Sequence, residues 1–121
     1  IAETLRTIRL RANKRGYETD IDADWLREQW ERQAGLCVYS GRPLAASKEI
    51  GSGRVPDGLS IDKIDPTRGY MRGNVVFCTW WANMAKGQLS PAEFAGRCRE
   101  VACHADVIKA RLEAALAEEE G

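Results

Sequence analysis

The chain reads as an α+β domain with a small strand–loop–strand–helix core wrapped by helices. Two observations lead there. Apolar residues recur at helical steps at both ends: Leu5, Ile8 and Ala12 near the start, and Phe94, Cys98, Val101, Ala105, Ile108, Leu112 and Ala115 near the finish. Between them, two short runs rich in β-branched residues, at 59–64 and at 74 to 78 or 79, are separated by a polar, glycine-containing loop. A chain of 121 residues suffices for one modest core. The expectation is therefore a single domain over 1–121, with a helical part at 1–35, a hairpin plus core at 36–89 and a C-terminal helix at 90–121.

Residues 2–15 form the first predicted helix, ended by Gly16. Its other face carries Arg6, Arg9 and Lys14, either as a solvated surface or as an arm for phosphate contacts. The second predicted helix spans 22–34. Asp22 or Asp20 caps it, Asp24 lies in its first turn, Gly35 ends it, and Trp25, Leu26 and Trp30 supply its core face. Residues 36–44, LCVYSGRPL, read as a short hairpin turning at Ser40-Gly41, with Pro43 limiting the return strand. Residues 45–58 read as a surface loop of unusual length, a candidate flap beside a substrate. After the strand at 59–64, the loop at 65–73 and the second strand, a helix runs from Trp80 to about Lys86, before Gly87. Ser90-Pro91-Ala92-Glu93 has capping-box spacing with proline at the first helical position. It opens a helix predicted to reach about Glu118. The seven apolar residues of that helix form a heptad-like stripe, which packs on the N-terminal helices or pairs with a second copy. Its small residues favour packing within the chain. Glu118, Glu119 and Glu120 oppose the helix dipole and should fray the end.

No apolar run approaches the roughly 18 residues that span a bilayer. Arg6, Arg9 and Arg11 interrupt any signal-like stretch. The chain starts with Ile1 rather than Met, as a trimmed chain lacking a leader would. Eighteen basic and 18 acidic residues cancel, which argues against a uniformly basic nucleic-acid binder. The charge is segregated instead. Residues 1–16 carry five basic and one acidic residue and residues 36–89 seven and four, whereas residues 17–35 carry two and six and residues 90–121 four and seven. Such segregation suits a DNA-facing side and a solvated back. Cys37, Cys78, Cys98 and Cys103 show no Cys-x-x-Cys pair, so they read as buried free thiols of a reducing, cytoplasmic compartment.

The densest chemistry lies in residues 59–87, LSIDKIDPTRGYMRGNVVFCTWWANMAKG. Asn74 precedes Asn83 by nine positions and Lys86 by twelve, and Gly73 and Gly87 flank the run. Elsewhere stand Trp30-Glu31-Arg32-Gln33-Ala34-Gly35, the hairpin from Cys37 to Leu44, Asp62-Lys63-Ile64-Asp65, Gly69-Tyr70 and Glu93-Phe94. Together these resemble the small phage-type HNH endonucleases, of ββα-metal fold, over nearly the whole chain. The resemblance implies a DNA-cleaving hydrolase of phage or bacterial origin. Asp62 and Asn83 would be ligands to one Mg²⁺ or Mn²⁺, and Asn74 would pin the loop between the strands. Arg68, Arg72 and Lys86 would contact the DNA backbone, and a dimer through the C-terminal helix is compatible. No membrane role is implied.

Two departures qualify this. Lys63 stands where the family has its catalytic histidine. A lysine near its ordinary pKa of about 10.4 is no base at neutral pH unless burial or neighbouring charge lowers it. Lys63 or Asp65 is then the proton acceptor, or a metal-bound water suffices and Lys63 binds phosphate. His104, the only histidine, reads as a surface or packing residue of the last helix. The family's four zinc positions correspond to Cys37, Ser40, Thr79 and Ala82, which cannot make a tetrahedral zinc site, so no structural zinc is expected. Tyr39, Phe77, Trp80 and Trp81 are candidates to fill that volume. The competing expectations are a catalytically impaired relative that binds DNA or a protein partner, and a helical module that self-associates through its stripe.

Overall fold

A computed structural model describes residues 1–44 and 55–120. Most of the predicted flap, 45–54, lies outside the described residues. The described chain mixes helices with a two-stranded antiparallel sheet, an α+β arrangement. It divides into two compact units, Ile1–Pro91 and Ala92–Gly121.

The first unit begins with α1, Ala2–Lys14, which buries Leu5, Ile8 and Ala12 as their spacing predicts. Helix α2, Ala23–Arg32, starts at Asp22, whose carboxylate accepts the Trp25 N–H at 2.8 Å. Leu26 is fully buried, while Trp25 and Trp30 pack at the edge of the core. The helix ends through two residues of positive φ, Ala34 and Gly35. Gly35 is required twice over there. Its φ is +69°, and an added Cβ would sit 3.2 Å from the Trp30 ring.

Strand β1 spans Leu59–Lys63 and β2 spans Val75–Thr79, paired from Leu59↔Thr79 to Lys63↔Val75. Every residue of β2 is buried. On its side of the sheet a glutamine stands in for a third strand. The Gln33 side chain accepts the Phe77 N–H at 3.0 Å and donates to the Phe77 carbonyl at 2.8 Å. Trp30 meets the Phe77 ring edge-on, with centroids 5.3 Å apart. The Trp-Glu-x-Gln-x-Gly phrase at the end of α2 is thus a docking device for β2. Residues 36–44 form a tight turn closed by a single Leu36↔Pro43 bridge, a smaller hairpin than expected because proline offers no N–H for a ladder.

Helix α3, Trp80–Lys86, follows β2 directly, and the Thr79 hydroxyl accepts the Ala82 N–H to cap it. Gly87 leaves it at φ +52°. Helix α3 packs on both strands, which completes a ββα unit.

The second unit is helical. The helix predicted from 90 to 118 is divided at His104 into α4, Pro91–Cys103, and α5, Ala105–Glu120. The His104 N–H is shared between the Glu100 and Val101 carbonyls, while the Ile108 N–H returns to the His104 carbonyl. The hydrogen-bond ladder therefore tightens at His104 without stopping. Helix α5 includes Glu118, Glu119 and Glu120. Phe94 is the buried residue of α4 and α5 has none. The thiols also differ from expectation: Cys37 and Cys78 are buried, but Cys98 and Cys103 are exposed. Among the described residues, no helix is long and apolar enough to cross a membrane.

Candidate functional site

Asp62 sits near the end of β1 with 7% of its surface exposed. A buried carboxylate must be compensated, and here two groups converge on its Oδ2. Tyr39 donates its hydroxyl at 2.5 Å, and the Lys86 ammonium lies at 3.1 Å. Lys86 is 1% exposed and also donates to the Lys63 carbonyl at 3.4 Å, with the Tyr39 ring 5.9 Å away. Burial first, then the bond to Asp62, pushes the Tyr39 hydroxyl well above its ordinary pKa, so it stays protonated as a donor.

Asn83, on α3, is tied to β1 through its amide nitrogen, which donates to Ser60 Oγ at 2.8 Å and to the Ile61 carbonyl at 3.1 Å. That carbonyl belongs to the residue before Asp62. Asn74 is 2% exposed and staples the loop at both ends. Its Oδ1 accepts the Asp65 N–H at 2.9 Å, and its Nδ2 donates to the Asp65 and Gly69 carbonyls at 3.2 and 2.9 Å. A loop closed on one buried amide presents its other groups in a set geometry.

Two cationic groups lie on the loop side. Lys63 Nζ donates to the Pro66 carbonyl at 3.3 Å and lies 5.3 Å from the centre of the Tyr70 ring. Desolvation and then the Arg15 charge lower its pKa, with Asp62 opposing. Asp65 is stabilised as a carboxylate. Its Oδ1 accepts the Thr67 N–H at 2.9 Å and hydroxyl at 2.6 Å, which lowers its pKa and makes it a weaker base. Arg68 is exposed on the same loop.

The structure gives two of the expected DNA contacts another employment. Lys86 is buried against Asp62 and cannot lie along a phosphate backbone while it stays there. Arg72 pins its loop to the start of α2, donating to the Asp20 carbonyl at 2.9 Å and to the Asp22 carboxylate at 2.6 Å. Spacing alone had no way to separate a phosphate-binding cation from one whose partner is a distant carboxylate. Tyr39 and Arg15 were also not singled out for these contacts. Tyr39 stood only as a filler, and nothing in the local pattern tied Arg15 to Lys63.

Cys37, Ser40, Thr79 and Ala82 are linked by hydrogen bonds around the Cys37 sulfur and the Thr79 hydroxyl. Cys37 Sγ accepts the Ser40 N–H at 3.4 Å and the Thr79 N–H at 3.3 Å, and lies 3.6 Å from the Thr79 hydroxyl that caps Ala82. Burial would raise this thiol, but those hydrogen bonds outweigh it and its pKa falls. Burial drives the neighbouring Cys78 thiol far upward. Among the described residues, no cluster of three or more His, Cys, Asp or Glu side chains gathers. A groove of about 500 Å³ between α1 and α2, lined by Leu5, Arg6, Arg9 and Arg27 among others, shares no residue with the Asp62 cluster.

Comparison with protein-family models, with curated proteins and with solved structures finds no match to this chain.

Proposed function

We propose that the chain is a metal-dependent HNH-like endonuclease or nickase that hydrolyses DNA phosphodiester bonds. The observation that carries this reading is the anchoring of Asn83. Its amide nitrogen is held on the backbone beside Asp62, and among the described residues no hydrogen bond ends on its Oδ1. A carboxylate and an amide oxygen at neighbouring points of a strand and a helix are hard donors of the kind Mg²⁺ or Mn²⁺ takes, so the residues present fit one such ion. When bound, it would neutralise charge on the phosphate and the leaving oxygen. The remaining work belongs to the chain. Tyr39 and Lys86 orient the Asp62 carboxylate, Asn74 shapes the loop, and Lys63 and Arg68 supply positive charge on the loop side. The gathering of positions 37, 40, 79 and 82 around the Cys37 sulfur supports an HNH-type core held by hydrogen bonds where relatives would use zinc.

One observation favours a second reading, a catalytically impaired relative that binds DNA or a protein partner. Lys86 already neutralises Asp62.

Supercoiled plasmid incubated in Mg²⁺, Mn²⁺ or EDTA separates the two. Asp62→Asn is the informative variant, because it keeps an oxygen that can accept from the buried Lys86 ammonium, whereas Asp62→Ala leaves that ammonium with neither counter-charge nor acceptor; folding is checked for each variant by circular dichroism. Nicking that needs metal and is lost in folded Asp62→Asn and Asn83→Ala proteins is the expected result. Plasmid retention without nicking in any metal gives the site to the binding reading.

A further inference from the structure

We propose that residues 98–115 form a self-association helix, pairing antiparallel with the same residues of a second copy. Val101, Ile108 and Leu112 lie on one heptad stripe and are 61%, 38% and 59% exposed, and none of α5 is buried. A helix of this size holds its shape in water poorly without covering an apolar face. The ladder through His104 carries the stripe from α4 into α5.

The order of residues along the stripe selects the occupant and its direction. In an antiparallel pair about a twofold axis, Ala105 meets Ile108, Val101 meets Leu112 and Cys98 meets Ala115, each layer occurring twice. At the centre a small side chain faces a large one, so the layers fill. A parallel pair would set Ala105 on Ala105, leaving a gap, and Glu119 on Glu119. Charge points the same way. The antiparallel pair brings Arg97 of one copy to Glu118 of the other. It also lays the acidic end Glu118–Glu120 beside the start of the other α4, where the helix dipole is positive. The acidic run that opposes its own helix dipole is thereby compensated by the second copy. The seam is about 26 Å long at 1.5 Å rise per residue.

Sedimentation equilibrium of the full chain tests the association. The expected mass is twice the 13.5 kDa of one chain. Leu112→Glu should reduce it to one while Trp emission stays unchanged, since Trp25, Trp30, Trp80 and Trp81 all lie outside the arm. A wild-type monomer up to the solubility limit overturns the proposal and gives the stripe to some other occupant. Cross-linking tests the direction. In a Cys103→Ser, Ala115→Cys protein, mild oxidation should join position 98 of one chain to position 115 of the other. Bonds of 98 to 98 and 115 to 115 overturn the antiparallel arrangement.

Discussion

The ββα unit and the C-terminal arm both carry apolar residues at periodic spacing, yet they use them in opposite ways. In the ββα unit every residue of β2 is buried and each buried polar side chain has a specific partner: Asp62 has Lys86 and Tyr39, and Asn74 has two loop residues. In the arm, α5 buries nothing, although Ile108 and Leu112 of the apolar stripe lie on it. Periodicity says that a face wants covering. It does not say whether the cover lies in the same chain.

The sharpest way to break the comparison is to strip one partner from the buried pair. Lys86→Met removes the counter-charge from buried Asp62, leaving the Tyr39 hydroxyl as its donor, and should cost about 3–5 kcal/mol in urea unfolding, whereas adding Asp62→Leu should recover most of the loss. If the single variant is as stable as wild type, Asp62 has other compensation. Asn74→Ala comes next, at about 3 kcal/mol, because the Asp65 N–H and the Gly69 carbonyl both lose their partner.

The arm should behave differently. On heating, far-UV circular dichroism should report a helix loss that moves to lower temperature on dilution, while Trp emission from the first unit should melt at a concentration-independent point. A single coincident transition would tie the two regions into one cooperative body. A smaller effect belongs to Asp57, whose carboxylate is held below its ordinary pKa mainly by hydrogen bonds from Arg42. Its contribution is present above the unfolded value of about 3.9 and is lost as pH falls through the lower folded value. The Tm difference between wild type and Asp57→Asn should therefore be seen near neutral pH and vanish in acid. Smallest of all, Lys109→Ala removes an exposed 3.9 Å pair with Glu113 and should shift stability by under about 0.5 kcal/mol.

Legibility followed the same divide. Helix α1 and its three buried residues, the Asp22 cap, both strands and α3 were readable because short-range periodicity and capping chemistry set them. The pairing of Lys86 with Asp62, of Arg72 with Asp22 and of Tyr39 with Asp62 was not. Each joins groups more than 20 positions apart, and a charged residue looks the same in sequence whether it faces solvent or a carboxylate. The arm's interruption at His104 also escaped notice, since no glycine or proline marks it.

Gln33 has a consequence for life in a crowded solution. An isolated two-stranded ribbon with a largely apolar strand is a template onto which a stranger's backbone can zip, the first move toward fibrils. By occupying both main-chain groups of Phe77 with one amide, Gln33 blunts that rim with a decoy peptide bond. A Gln33→Ala protein should keep its fold at low concentration and seed aggregates when concentrated, which thioflavin binding would reveal.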